Sequence, residues 1–87
     1  MFQYELTLLL KNEEDLKTIQ ELITSVKGKI QKEEKWGKKM LAYSIKKNNS
    51  AIFYLLHLDL ADQSVNDMRQ KLNFDDKIIR FLLLKVS

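Results

Sequence analysis

The sequence predicts an α+β sandwich built in the order β-α-β-β-α-β. Three observations carry that reading. Tyr4 to Leu10 alternates with a period of two, residues 16–26 recur at steps of three and four, and two further apolar runs, 51–60 and 77–86, flank a second helical stretch. At 87 residues the chain is read as a single domain spanning 1–87, with one modest core.

Along the first strand, Tyr4, Leu6, Leu8 and Leu10 share one face, and Gln3, Glu5, Thr7 and Leu9 the other. Lys11-Asn12 ends it. Asn12 is then placed as the N-cap of a helix whose first turn holds Glu13, Glu14 and Asp15, where the macrodipole favours negative charge. Leu16, Ile19, Ile23 and Val26 form its apolar stripe, widened by Leu22, and Gly28 is expected as its C′ residue.

The basic segment from Ile30 to Lys47 reads as the second strand, with a bulge or bend at Gly37. Residues 46–50 form a polar turn into the strand AIFYLLHLDL, Ala51 to Leu60. The second helix covers Asp62 to Asn73, with Val65, Met68 and Leu72 inward and either Asp62 or Ser64 as its cap. Lys77 to Val86 closes the sheet. This order is the ferredoxin-like split β-α-β: a four-stranded antiparallel sheet with two helices on one face.

Composition excludes several classes of function. Hydrophobic residues at 45% are too many for a disordered tail, and charged residues at 31% too many for a membrane span. No run approaches the roughly 20 apolar residues of a transmembrane helix, and the start Met1-Phe2-Gln3-Tyr4-Glu5 lacks the basic region of a signal peptide. With no Cys, neither a disulfide nor a thiolate metal site can form, and the expected compartment is reducing and intracellular. His57 is the only histidine, so no His-based triad can be assembled; it belongs on the open sheet face in a packing or hydrogen-bonding role. The adjacent pairs Glu33-Glu34 and Asp75-Asp76 point apart and make poor acid/base couples, and no glycine-rich phosphate loop is present. No enzymatic activity, no cofactor and no metal is therefore expected. The chain also lacks the paired aromatics with which RNA-recognition-motif sheets stack bases.

Two features call for a partner. With the helices on one face, the other should be polar. Instead it is expected to hold Phe53, Leu55, Leu82 and Leu84, with Leu9, as a contiguous apolar patch, and Ile78 is placed on the same side of the last strand. Second, residues 27–47 hold eight lysines against two glutamates, a net of +6, while the rest of the chain is −3. A basic hairpin on an acidic body, interleaved with Trp36 and Tyr43, is an electrostatic footprint for RNA; the plainer reading is a lysine-rich edge that resists aggregation.

Trp36-Gly37-Lys38-Lys39-Met40-Leu41-Ala42-Tyr43-Ser44-Ile45-Lys46 resembles the signature of the bacterial small-subunit ribosomal protein six family: a glycine, basic residues, then Leu-Ala-Tyr, one further residue and Ile. Tyr4-Glu5 before an apolar strand, Val65-Asn66-Asp67 leading to Leu72, and Asp76 through Arg80 to Lys85 look like other parts of the same family. The chain departs from it at Ser44, where proline is frequent, and at Met40, where a basic or polar residue is common. The resemblance implies a ferredoxin-like protein of the small (30S) subunit, in the bacterial cytoplasm or an organelle. It would bind 16S ribosomal RNA in the platform together with ribosomal protein eighteen, in support of subunit assembly and translation. On that basis the RNA role falls on Lys38, Lys39, Lys46 and Arg80, with Tyr4, Asn73 and Lys77 as further candidates near the same end. The face assignment gives Phe53, Leu55, Leu82 and Leu84 to the partner protein. The free chain is expected to be a monomer. The alternative is a self-associating ferredoxin-like regulatory module that binds a small ligand between sheets, and a stable dimer on sedimentation would favour it. An acyl-phosphate hydrolase of the same fold would need an arginine after the first strand, where Lys11-Asn12-Glu13-Glu14 stands instead.

Overall fold

The structure, a computed structural model, describes residues 2–45 and 48–86, and the side chains of 42–49 lie outside that description. The elements run β1 (Phe2–Leu10), α1 (Asp15–Ser25), β2 (Lys29–Ile45), β3 (Asn48–Leu60), α2 (Asp62–Phe74) and β4 (Ile78–Lys85). The four strands form one antiparallel sheet in the order β2-β3-β1-β4. Both helices cover the same face. This is the ferredoxin-like α+β fold that the sequence predicts.

The period-two reading holds where pairing is regular. Tyr4, Leu6, Leu8 and Leu10 of β1 and Tyr54, Leu56, Leu58 and Leu60 of β3 are all buried, against Ile19 and Ile23 of α1 and Met68 and Leu72 of α2. Val65 packs at the margin of that core, together with Leu16 and Leu22.

At the start of β4 the alternation breaks. Leu9 pairs with Arg80 and Leu10 with Ile78, so Ile79 is an extra residue in a bulge. Ile78, expected on the open face, is therefore turned inward and buried beside Ile79. β3 also begins earlier than expected. Asn48, Asn49 and Ser50 continue the strand, and Met40 pairs with Ser50. Their turn-favouring composition is outweighed by the pairing that the long β2 offers.

The helix ends differ from the expected caps. Neither Asn12, Asp62 nor Ser64 caps a helix through its side chain. Glu14 and Ala61 hold the N-cap positions without side-chain cap bonds. The Asn12 carbonyl instead accepts from Asp15 N–H at 3.2 Å, and Glu13 from Leu16 at 3.1 Å, a tight turn that leads into α1. At the other end of α1, Lys27 takes the left-handed conformation, with φ of 62°. Gly28 N–H donates to Ile23 O at 2.9 Å and Lys27 N–H to Thr24 O at 3.0 Å, the bond pair of a Schellman motif. The glycine is one position beyond the left-handed residue. Its role is space: a Cβ there would lie 2.9 Å from Ile23 Cγ2, 3.1 Å from Ile23 O and 3.2 Å from Leu60 Cδ1. Gly28→Ala should lower stability by about 1–3 kcal/mol through overpacking. Lys27→Gly should raise it by up to about 1 kcal/mol, because glycine relieves the left-handed strain. Chemical denaturation of the two variants checks both signs.

The chain end of the sheet is fastened by a polar cluster. Tyr4 Oη donates to Asp62 Oδ1 at 2.5 Å, and Lys85 Nζ stands 3.4 Å from the same oxygen and 3.8 Å from the centre of the Phe2 ring. The Tyr4 bond holds the Asp62 carboxyl below its ordinary range, and the same bond raises the Tyr4 phenol. A depressed carboxylate contributes stability above its unfolded pKa and loses it as pH falls through the folded value. The stability gap between the wild type and Tyr4→Phe is thus expected to be widest near neutral pH and to narrow in acid as Asp62 takes up a proton. Thermal melts from pH 7 downward measure it.

Candidate protein and nucleic-acid interface

The register lays out the face that the helices leave bare. One row runs Gly37, Phe53, Leu9, Arg80 across β2, β3, β1 and β4; the next runs Glu34, Leu55, Thr7, Leu82; the third runs Lys32, His57, Glu5, Leu84. Phe53, Leu55, Leu82 and Leu84 thus share the face assigned to them, and Leu9 joins them. Leu82 and Leu84 are 54% and 51% exposed, while Leu9, Phe53 and Leu55 are half-buried by their neighbours. The patch lies across β3, β1 and β4. Its margin toward β2 is polar: His57 Nε2 and Glu34 Oε2 are 2.8 Å apart. That bond, with help from Lys32, holds the Glu34 carboxyl below its usual range.

The lysines occupy a different place. β1 ends at Leu10, opposite Ile52, so β2 and β3 continue past it as a two-stranded arm. Lys39 and Met40 are exposed on that arm, and Lys38 is exposed at its root, opposite Ile52. Its root is a second bulge: Lys35 pairs with Tyr54 and Gly37 with Phe53, leaving Trp36 extra and half exposed. Gly37 has φ of 89°, a conformation that favours glycine, so the bend read from the sequence is present. Lys35 is drawn away from the arm by an ion pair with Glu13, which raises its pKa. Lys46 and the side chain of Tyr43 lie outside the described residues.

The other RNA candidates divide. Lys77 is at the arm's end of the sheet, its ammonium 3.9 Å from Asp15 Oδ1, in a turn where Lys77 N–H donates to Asp75 Oδ1 at 2.9 Å. Asn73 sits at the end of α2, and with Arg80 it lines a groove beside β4. Tyr4 does not join them. It is 6% exposed, points into the core and belongs to the opposite end of the sheet, where Asp62 holds its hydroxyl. The Tyr4 assignment is corrected on that geometry.

Sequence reasoning missed two features here. The burial of Asp15, whose Oδ2 has no hydrogen-bond partner among the described residues, depends on the Lys77 turn distant in sequence. The position of Arg69, whose Nη2 donates to Leu83 O at 3.2 Å, depends on how α2 lies along β4. Among the described residues there is no cluster of three or more metal-ligating side chains.

The open face holds the apolar patch that the strand alternation predicts, and the sequence profile of ribosomal protein S6 aligns with residues 3–85. The chain belongs to the ribosomal protein S6 family. It is 33% identical, over its whole length, to the small ribosomal subunit protein bS6 of Methylobacterium nodulans, covering 70% of that protein. It is 41% identical over 76% of its length to the bS6 protein of Methylobacterium sp., and covers 49% of that one. The chain thus spans from about half to about two thirds of these relatives' lengths. The 30S ribosomal protein S6 of Thermotoga maritima superposes with a TM-score of 0.85 at 24% identity, covering 98% of this chain and 87% of that one. A homoserine dehydrogenase of Thiobacillus denitrificans matches with a TM-score of 0.70 at 15% identity, over 99% of this chain and 17% of the enzyme. Both superpositions speak to the fold alone, and a fold shared with part of an enzyme does not separate a ribosomal protein from a regulatory module. The family match does, and the family is one of structural, non-enzymatic ribosomal proteins.

Proposed function

We propose that this S6-family chain is an assembly and scaffold protein of the small ribosomal subunit, binding 16S ribosomal RNA of the platform through its basic arm and ribosomal protein eighteen through its open sheet face. The observation that carries the reading is the separation of the two surfaces. The apolar patch spans β3, β1 and β4, whereas Lys39 stands on the part of β2 that runs past β1 and Lys38 at its root, level with Leu10. One small domain can then hold a protein and an RNA at once. Lys77 lies at the same end and adds a third cation; Lys46 extends the motif.

The arm meets RNA by phosphate position and shape, because a lysine ammonium carries no base identity. The net charge is only +3, so the free chain binds RNA weakly. Burying the patch against protein eighteen joins the basic surfaces of both proteins and makes RNA binding cooperative. The test is copurification of the tagged chain with the small subunit through a high-salt gradient. Retention on the particle is expected; elution as free chain at salt concentrations that leave the other small-subunit proteins bound would overturn the proposal.

A further inference from the structure

The two edges of the sheet are built differently. The outer strand β2 carries register shifts at Gln31, at Trp36 and between Met40 and Ile45, and a run of lysines, devices that discourage another strand from pairing. The opposite edge, β4, carries one bulge at its start. From Arg80 to Lys85 its register with β1 is unbroken, and its sequence is Arg-Phe-Leu-Leu-Leu-Lys. Val86 N–H donates to Gln3 O at 2.8 Å, so residues of that parity, Leu84, Leu82 and Arg80, turn their backbone groups toward β1. Phe81 and Leu83 therefore turn theirs outward, to the free edge. The Arg69 guanidinium on Leu83 O confirms that direction at one carbonyl.

A groove of about 560 Å³ lies along this edge, between β4 and the Arg69–Asn73 side of α2. Its floor is apolar, with Leu72, Ile79 and Leu83. Arg69 flanks it on the helix side, and Arg80, whose side chain belongs to the bare face, flanks the strand on the other; they are the only two arginines in the chain. Both are exposed, and neither has a carboxylate partner among the described residues, whereas Lys35, Lys77 and Lys85 each do.

We infer that the free edge of β4 takes up an extended acidic segment of a partner polypeptide as a fifth strand. The amide and carbonyl of Phe81 and Leu83 supply the ladder, and carboxylates of the incoming strand meet Arg69 and Arg80. Main-chain bonds give such a complex its affinity, and alternate side chains its selectivity. Arginine suits the second role because its planar fork grips a carboxylate at two points. Arg69 gives up its single bond to Leu83 O when the strand arrives. The groove reads protein instead of phosphate because its donors and acceptors alternate along a strand, which matches a peptide backbone and not a sugar-phosphate chain. The inference stands independently of the RNA-binding role of the arm.

The test uses the isotopically labelled full chain and a blocked octapeptide of repeating Val-Val-Glu-Glu, which puts a carboxylate on each face of an added strand, at millimolar concentration. Amide exchange at Phe81 and Leu83 should slow at least tenfold on adding it. It should not slow when lysine replaces each glutamate, nor when alternate amides of the glutamate peptide are methylated. Arg69→Ala with Arg80→Ala should remove most of the protection while leaving the amides of β1 and β3 as slow as before. No slowing with the glutamate peptide would overturn the inference, as would equal slowing with the lysine peptide. Protection by a single-stranded RNA oligonucleotide but not by the peptide would make the groove a phosphate site. Protection that grows with protein concentration alone would make a second copy of the chain the occupant.

Discussion

Leu82→Asp should abolish binding of ribosomal protein eighteen while the chain stays folded. Leu82 lies midway along the edge strand β4 on the bare face, next to Thr7, in the row that includes Leu55. In the free chain it is half exposed, so a carboxylate there stays hydrated and costs at most about 0.5 kcal/mol of stability. In the complex the same carboxylate would be taken from water without a partner. Charges stranded in this way in the centre of an interface cost upward of about 2 kcal/mol, a loss of roughly 30-fold or more. Isothermal titration of wild-type and variant chains with protein eighteen, with a melt of each chain alone, separates docking from folding. Unchanged affinity would remove the open face from the interface.

The second large effect concerns the arm. Lys38→Glu with Lys39→Glu removes two cations from an exposed ribbon and puts two anions in their place. Each lysine on a phosphate releases counterions and adds about 0.9 to the slope of log affinity against log salt on duplex DNA, and somewhat less on single strands. Losing both contacts should flatten the slope by nearly two and weaken RNA binding by at least about tenfold at low salt. Stability should hardly change, because neither side chain touches the core. The salt series discriminates: weaker binding with an unchanged slope would mean that the substitutions acted elsewhere than at phosphate contacts.

Where a strand pairs regularly, its faces were legible in the residues. β1 and β3 alternate without interruption, so Tyr4, Leu6, Leu8 and Leu10, and Tyr54 through Leu60 in steps of two, could be assigned inward from periodicity alone. The same reasoning placed Phe53, Leu55, Leu82 and Leu84 on the bare side. It failed at Ile78, because one inserted residue reverses the parity of everything before it, and isoleucine repeated twice gives no sign of where the bulge falls. It failed at the caps because Asn12 and Asp62 have other engagements: the Asn12 backbone closes a turn, and Asp62 is claimed by Tyr4 and Lys85 from distant strands. Tyr4 illustrates the limit for sites. A motif can mark a residue as part of a family pattern, but whether its hydroxyl faces a ligand or a helix depends on contacts 58 positions away. The groove beside β4 was invisible for a similar reason: Arg69 is unremarkable in sequence, and only the packing of α2 along β4 sets it beside the free edge.

In the proposed function the apolar face and the basic arm work together, one docking a protein so that the other can hold RNA. The most direct test is the affinity for a platform fragment of 16S ribosomal RNA, measured for the chain alone, for protein eighteen alone and for their mixture. Weak binding by each protein alone and cooperative binding by the mixture, lost on Leu82→Asp, is the expected result. Equally tight binding by the chain alone, or a mixture indifferent to Leu82→Asp, would contradict it.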